Sequence, residues 1–253
     1  MNVQDISDPS AFITEVASLQ NGMNLFDWTC KVPMEGLKTG SYPVFEKKDK
    51  RPNFVINEFG SVKGWDILEL GSFEGGHAYQ LEKSGASVVG IEAHPSNYIK
   101  CLLAKNALQM NSVFLLGDFQ KYLAMHSKKY DLIFASGVLY HMLHPVELMF
   151  HISNCTDRAF FWTHYVNSNQ ANEWNSKFKE ECHYKDFACT YYKYAYDTNR
   201  FDRIYAGVEK ECSRMTKDDI VNCLRHFGLT KFILLEDEPD HPGGPAFSFI
   251  VHR

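Results

Sequence analysis

Residues Trp65 to His77 read W-D-I-L-E-L-G-S-F-E-G-G-H. The first part, residues 66–70, is an apolar segment with the length of a buried strand, and a helix is predicted to begin after the glycines. Gly71 allows a sharp turn because it has no Cβ, and Gly75 and Gly76 leave room for a ligand at the N-terminus of the helix. The stretch predicts a strand, a ligand-binding turn and a helix, with a plain strand-to-helix turn as the alternative.

The turn departs from the dinucleotide-binding fingerprint at one position. The pattern G-x-G-x-x-G needs a glycine two residues after the first, so that a pyrophosphate can contact the backbone, and Phe73 stands there instead. S-adenosyl-L-methionine (SAM) has no pyrophosphate, and its charged groups are a carboxylate, an ammonium and a sulfonium. Glu69 and the backbone at Gly71 suit those groups, and we therefore expect SAM as the cofactor.

Length and charge exclude several classes of protein. The chain has 253 residues, of which 45% are hydrophobic, enough for one well-buried core. The net charge is −5 and basic residues form no run longer than a pair, so we do not expect nucleic-acid binding as a general activity. The N-terminus lacks the pattern of a secretory signal, and no apolar run approaches about 18 residues. We expect a cytoplasmic protein that does not enter membranes, and the sequence leaves a homodimer open.

The cysteines favour reduced thiols. Seven cysteines are scattered along the chain without a C-x-x-C pair, as in cytosolic proteins. Cys182, His183 and Cys189 lie close together in sequence, but their spacing fits no standard zinc pattern. We predict no metal site.

Apolar runs alternate with helical patterns between residues 65 and 163, which predicts a doubly wound, mostly parallel sheet. A helix is expected to begin at Pro95 and to bury a stripe on one face. That stripe is Ile99, Leu102, Leu103, Ala107 and Met110. The further predicted elements are strands at residues 87–92, 113–116, 130–135 and 160–162, and helices at 76–84, 119–125 and 145–152.

Residues 166–213 break this alternation and are rich in aromatic side chains. They include Trp174, Phe178, Tyr184, Phe187, Tyr191, Tyr192, Tyr194, Tyr196, Phe201 and Tyr205. A connection of this length is usually functional, so we interpret it as an insertion that covers the site, with an aromatic dimer surface or an ordinary packed subdomain as alternatives. Residues 1–64 are expected to be an N-terminal segment that caps the site, and residues 65–253 the catalytic domain.

The C-terminus indicates the topology. After a helix that begins at Thr216 and ends before Gly228, residues 231–235 and 246–252 are predicted strands joined by the turn D-H-P-G-G-P. A parallel sheet that ends in an antiparallel hairpin, with a glycine turn after its first strand, resembles the class I SAM-dependent methyltransferases. The resemblance implies a Rossmann-like α/β fold with seven strands. It covers residues 65–165 closely and the hairpin more loosely.

The resemblance implies a set of cofactor contacts. Glu92 ends the second strand, where an acidic side chain accepts hydrogen bonds from the ribose. Asp118 follows the third strand and would accept a hydrogen bond from the adenine amine, or cap the following helix, or do both, while Phe119 packs on the ring. The full set of expected cofactor-binding residues is Glu69, Gly71, Ser72, Phe73, Gly75, Glu92, Ala93, Asp118, Phe119, Ser136 and Gly137.

Two strand ends supply candidates for catalysis. The segment A-S-G-V-L-Y-H, residues 135–141, follows the fourth strand and places Tyr140 and His141 toward the acceptor. His141 is a candidate general base because an imidazole titrates near neutral pH, with packing beneath the cofactor as the alternative. His164 ends the fifth strand at the same edge and is a second candidate base.

The acceptor is the least constrained part of the prediction. G-V-L-Y-H is similar to the segment in the enzyme that transfers a carboxymethyl group to the wobble uridine of tRNA, but Met142 and Leu143 replace the arginines that follow it there. We therefore expect methyl transfer to a small molecule, at a hydroxyl oxygen. An RNA-modifying methyl or carboxymethyl transferase, and a binding protein with a methyltransferase fold, stay as alternatives.

Overall fold

The computed structural model describes residues 18–46, 49–173, 178–196 and 209–253. Three of the aromatic residues of the insertion, Trp174, Phe201 and Tyr205, lie outside these ranges. Within the described residues no helix has the length and apolar character needed to cross a membrane.

A seven-stranded sheet forms the centre of the fold. Its strands are β1 (Asp66–Leu70), β2 (Ser87–Glu92), β3 (Val113–Leu116), β4 (Leu132–Ser136), β5 (Arg158–His164), β9 (Lys231–Glu238) and β10 (Ala246–His252). The helices are α1 (Lys50–Phe59), α2 (Gly76–Lys83), α3 (Pro95–Leu108), α4 (Phe119–Met125), α5 (Pro145–Cys155), α6 (Ser168–Glu173) and α7 (Lys217–His226).

The sheet order is β3-β2-β1-β4-β5-β10-β9. Pairing is parallel from β3 to β5, and β10 runs antiparallel to both β5 and β9. The predicted seven-stranded sheet with a C-terminal antiparallel hairpin is confirmed. The chain order reverses between β1 and β4, so the carboxyl ends of these strands open a crevice of the kind in which α/β proteins bind ligands.

Helix α3 begins at Pro95 as predicted, but its buried face is only partly the predicted one. Ile99 and Leu102 are 41% and 39% exposed, whereas Lys100 is 1% exposed and Cys101 and Ala104 are fully buried. The prediction was wrong for Ile99 and Leu102 because it ranked side chains by hydrophobicity alone, whereas Leu103, Ala107 and Met110 do contact the core. Lys100 turns inward because a buried carboxylate lies beside it.

That carboxylate, Glu74 of the glycine turn, fixes the N-terminal segment on the sheet. It is 0% exposed and accepts hydrogen bonds from Lys100 Nζ (2.9 Å) and from the backbone N–H groups of Thr29 (3.0 Å) and Cys30 (2.7 Å). A Cβ added to Gly76 would lie 2.5 Å from Val44 Cγ1, so the space beside this glycine is taken by the same segment. Residues 29–44 are therefore anchored directly against the predicted ligand-binding turn.

The insertion forms a second, antiparallel sheet of three strands, β6 (Lys179–Tyr184), β7 (Phe187–Ala195) and β8 (Glu211–Arg214). Phe187 and Tyr191 of β7 belong to the same hydrophobic cluster as Ile220 and Cys223 of α7. The inserted sheet thus packs on the main domain and shares its core.

Candidate functional site

A cavity of about 460 Å³ lies at the carboxyl ends of β1, β2 and β4. Ten residues expected from the sequence line it: Gly71, Ser72, Phe73, Glu92, Ala93, Phe119, Ser136, Gly137, Tyr140 and His141. Its volume falls in the range of small-molecule sites. Phe73 forms part of the wall and leaves the cavity open.

Four expected site residues lie outside the cavity lining: Glu69, Gly75, Asp118 and His164. Asp118 caps α4, and its Oδ1 accepts hydrogen bonds from the N–H groups of Gln120 (2.9 Å) and Lys121 (3.2 Å). A Cβ on Gly75 would lie 3.2 Å from Phe114, so this glycine makes room for the core.

Gly71 allows the glycine turn after β1 to pass close to the loop that follows β4. Its φ is +70°, and a Cβ there would lie 2.5 Å from Val138 Cγ1. Any larger side chain would be strained and would collide.

Glu92 ties the glycine turn to the end of β2. Its Oε2 accepts a hydrogen bond from Phe73 N (2.7 Å), and its Oε1 accepts one from His94 N (2.8 Å). Burial raises the pKa of Glu92 to about 7, with the charge of Glu69 acting in the same direction, although the backbone hydrogen bonds oppose the shift. The carboxyl group is therefore half-protonated near neutral pH and responds to any ligand that donates to it.

A buried charge network extends from α1 to the cavity. Asp49 accepts hydrogen bonds from Arg51 Nε (2.9 Å) and Nη2 (2.5 Å), and its Oδ2 lies 3.2 Å from His77 Nε2. Burial opposes ionisation of Asp49, but the hydrogen bonds from His77 and Arg51 hold its pKa well below the usual range. Asp49 therefore stays a carboxylate and fixes the guanidinium of Arg51 and the imidazole of His77, which both line the cavity.

His77 also faces Glu69. Its Nδ1 lies 3.6 Å from Glu69 Oε1, and no donor among the described residues reaches either oxygen of this 1% exposed carboxylate at hydrogen-bond distance. Burial and Arg51 disfavour the charged imidazole, but the carboxylates of Asp49 and Glu69 outweigh them and raise the pKa of His77. Glu69 therefore does not line the cavity itself but interacts with His77, which does.

Arg51 reaches across the crevice. Its Nη1 donates to Ser136 Oγ (3.1 Å) at the end of β4, and its guanidinium lies 5.5 Å from the ring centre of Trp162. Trp162, on β5, also lines the cavity. The N-terminal part of the chain therefore supplies a cation at the point where β1 and β4 diverge.

The 3₁₀ turn Leu139–His141 places Tyr140 and His141 on the rim. Burial raises the pKa of Tyr140 to about 12, although Arg214 and Arg51 lower it, so its hydroxyl keeps its proton at neutral pH. His141 Nδ1 lies 2.5 Å from the hydroxyl oxygen of Tyr196. Tyr140 is therefore suited to donate a hydrogen bond, and His141 is the rim residue suited to accept a proton.

His164 packs behind the rim. Its Nδ1–H donates to Gly244 O (2.9 Å), and its ring centre lies 4.5 Å from that of Tyr140. Burial lowers the pKa of His164 despite the backbone hydrogen bonds. It is held as a neutral imidazole against the hairpin loop.

The sequence did not reveal Asp49, Arg51 or the role of Trp162. Asp49 and Arg51 precede the first strand and carry no motif, and only the fold brings them to the cavity. His77 had a usable signal, because it follows Gly76 directly and the first turn of such a helix faces the ligand. Among the described residues no group of three potential metal ligands occurs.

The cavity suits SAM on features of its own walls. Glu92 lies at the end of β2 with a carboxyl group facing the cavity, and the Ser72 hydroxyl in the wall has no hydrogen-bond partner among the described residues. Phe73 and Phe119 provide aromatic surface, and Arg51 provides positive charge. These groups match a ribose, a purine and an amino-acid carboxylate respectively.

Comparison with solved structures finds the same fold in methyltransferases. The N-terminal domain of EvdMO1, crystallised in the presence of S-adenosylhomocysteine (SAH) and D-fucose, is 16% identical with a TM-score of 0.70 over 100% of this chain and 99% of that one. The chain spans 49% of full-length EvdMO1 (17% identity, TM-score 0.64, 99% of this chain). Magnesium protoporphyrin IX methyltransferase from Synechocystis PCC 6803 with bound SAH is 15% identical with a TM-score of 0.55, over 83% of each chain.

No curated protein matches the chain in sequence. The family described as "Methyltransferase domain" matches residues 61–224, more than half of the chain, including β1, the glycine turn and the rim. The chain belongs to this methyltransferase-domain family and is a SAM-dependent methyltransferase.

Proposed function

We propose that the chain transfers the methyl group of SAM to a hydroxyl oxygen of a small polar molecule, with His141 as the general base. The observation that carries the proposal is that one cavity is lined both by the expected cofactor contacts and by Tyr140 and His141. The N-terminal segment contributes Thr29, Cys30, Tyr42 and Val44 to the lining of the same cavity, which supports a capping role for that segment.

The cofactor contacts follow from the walls. Glu92 would accept from the ribose hydroxyls, and Phe119 would pack on the adenine. Asp118 uses Oδ1 in its helix cap, and its Oδ2, which lies 3.7 Å from Lys121 Nζ, is the oxygen that would accept from the adenine amine. Arg51, already oriented by Asp49, would bind the carboxylate of the methionine part.

SAM supplies an activated methyl group, so the protein need only align the acceptor, exclude water and remove one proton. When the acceptor oxygen takes this methyl group and the bond electrons stay on the sulfur, His141 would receive the proton of the hydroxyl group. Tyr140, which keeps its proton, would donate a hydrogen bond to the acceptor and orient it.

A sugar hydroxyl is the acceptor that we favour. The N-terminal domain of EvdMO1, which aligns with 100% of this chain, was crystallised in the presence of D-fucose. Trp162 provides a flat aromatic surface beside the polar groups of Arg51 and Tyr140, an arrangement suited to a small polyhydroxylated ring. Met142 also lines the cavity where the similar tRNA enzyme has an arginine, so this rim offers no basic residue of that segment to RNA.

The experiment is a methyl-transfer assay with labelled SAM and a panel of acceptors. The panel contains D-fucose and other monosaccharides, a phenol, an amine and unmodified tRNA, with protein lacking acceptor as the blank. Label in a sugar or phenol ether would support the proposal. Label in the amine or the tRNA alone would overturn it, and the tRNA result would favour the RNA-modifying alternative.

SAH binding is expected to depend on pH through Glu92. The ribose hydroxyls prefer the ionised carboxylate, and the pKa of about 7 means that a proton must leave below that pH. Each pH unit below 7 costs about tenfold in affinity, so the Kd should be about tenfold weaker at pH 6 than at pH 8. Calorimetric titration with SAH measures the trend.

Glu92→Gln provides the control, because it keeps the shape of the side chain and cannot ionise. The Kd of the variant for SAH should vary less with pH than that of the unchanged protein. The remaining pH dependence is expected to come from titration of the amino group of SAH. At pH 8 the variant should bind about 10-fold to 100-fold more weakly, as expected for loss of a charged hydrogen-bonding group. If the variant and the unchanged protein bound SAH with equal affinity at pH 8, Glu92 would not be the residue that binds the ribose.

A further inference from the structure

The inserted sheet holds the loop that carries His141. Ser213 of β8 donates from its backbone N–H to Met142 O (2.7 Å) and from its hydroxyl to Leu143 O (2.7 Å). Tyr191 of β7 accepts a hydrogen bond from Val146 N (3.3 Å). The backbone on the C-terminal side of His141 is thus fixed by the insertion, which places this histidine at the junction of the two sheets.

A side chain of the insertion also contacts the imidazole itself. Tyr196 follows β7 directly, and its backbone N–H donates to Lys210 O (3.0 Å). Its hydroxyl oxygen lies 2.5 Å from His141 Nδ1, a short hydrogen bond. The tautomer of a neutral histidine is set by such a bond, because one ring nitrogen carries the proton and the other the lone pair.

The direction of this bond follows from the second partner of Tyr196. Cys212 of β8 is a hydrogen-bonding neighbour of the Tyr196 hydroxyl. Burial and the interaction with Cys212 raise the pKa of Tyr196, so its oxygen keeps one hydrogen at neutral pH. If that hydrogen is donated to the Cys212 sulfur, the Tyr196 oxygen accepts from His141 Nδ1–H.

We propose that Tyr196 is a positioning residue that accepts a hydrogen bond from His141 Nδ1–H and thereby leaves the lone pair on Nε2, the nitrogen that takes the proton of the acceptor. The inference rests on the proposed function for the role of His141, but the tautomer itself is a property of the protein without ligand. It gives the insertion a part in catalysis, since the insertion supplies both Tyr196 and the partner of its hydroxyl, Cys212.

The tautomer is measured directly by NMR on protein labelled with ¹⁵N in the histidine rings. Long-range proton–nitrogen correlations, recorded without ligand at about pH 8 where an ordinary imidazole is neutral, distinguish protonated from unprotonated ring nitrogens. The His141→Gln variant identifies the signals of His141. The unchanged protein should show His141 protonated on Nδ1.

Two variants separate a fixed tautomer from simple packing. Tyr196→Phe removes the hydroxyl and keeps the ring, and should shift the His141 signals toward a mixture of tautomers. Cys212→Ala removes the acceptor of the Tyr196 hydrogen, which can then be donated to Nδ1, and should invert the tautomer to Nε2–H. Tyr194→Phe, an exposed position on β7 two residues away, is the matched control and should leave the spectrum unchanged.

The inference would be overturned if the unchanged protein carried the proton on Nε2, or if Tyr196→Phe retained its spectrum. Affinity for SAH should stay within about twofold in both Tyr variants, because a positioning residue for the base does not bind the cofactor. An Nδ1–H tautomer in a protein that methylates no hydroxyl acceptor would refute the proposed function and leave the contact between Tyr196 and His141 intact, so the two failures are distinguishable.

Discussion

Replacement of Lys100 by methionine is expected to lower the free energy of unfolding by about 3–5 kcal/mol. Lys100 and Glu74 are 1% and 0% exposed, and removal of the ammonium leaves a buried carboxylate without its cationic partner. Because Glu74 also holds Thr29 and Cys30, the N-terminal segment should detach first. Urea denaturation followed by tryptophan fluorescence measures the change, and Trp28 in this segment makes the signal sensitive to it.

The double variant Glu74→Gln/Lys100→Met tests whether the cost comes from the unpaired charge. Removing both charges should restore a substantial part of the lost stability, since the penalty of a lone buried charge disappears. Lys121→Met, at an 81% exposed lysine of α4, serves as the control and should change stability by less than about 0.5 kcal/mol. A Lys100→Met protein as stable as this control would show that the pair does not anchor the segment.

His141→Gln is expected to lower kcat for hydroxyl methylation by about 100-fold or more while leaving SAH affinity within about twofold. Glutamine keeps polarity and approximate size but cannot take a proton. Initial rates with the acceptor found in the panel, together with calorimetric titration of SAH, separate the two quantities.

His164→Gln is the matched control for this experiment. His164 ends β5 at the same edge of the sheet, but it donates to the hairpin loop and does not line the cavity among the described residues. Its replacement should affect kcat much less than that of His141. Equal losses of kcat and of SAH affinity in His141→Gln would show that His141 only packs in the site. A larger loss of kcat in His164→Gln than in His141→Gln would make His164 the general base.

Most of the sheet was predictable because its strands are short apolar runs separated by glycine and proline. Residues 66–70, 87–92 and 113–116 form strands with the predicted bounds. In β1 and β2 the apolar run reflects burial between helices on both faces of the sheet, whereas β3 lies at the edge and Val113, Leu115 and Leu116 are exposed. The hairpin of residues 231–252 was equally visible from its D-H-P-G-G-P turn.

The buried face of α3 was not predictable from hydrophobicity. Lys100 is buried because Glu74 lies 26 positions earlier in the chain and accepts its ammonium. When the buried face is predicted from hydrophobic periodicity, lysine is assumed to be exposed, and Ile99 and Leu102 are therefore assigned to the buried face. Only the tertiary contact reverses that assignment.

The candidate site divides in the same way. Glu92, Phe119 and the rim residues lie at strand ends that local sequence identifies. Arg51 and Asp49 come from a segment without a motif. Their position at the cavity could be predicted only if the strand order of the sheet were already known. Tyr196 is supplied by the insertion, and no local pattern links an aromatic residue at that position to a histidine 55 positions earlier.

The most direct test of the account is a crystal structure of the chain with SAH. We expect the ribose hydroxyls within hydrogen-bond distance of the Glu92 carboxylate and the sulfur of SAH facing Tyr140 and His141. SAH bound elsewhere on the chain, or in this cavity with its sulfur directed away from His141, would contradict the proposed catalytic site.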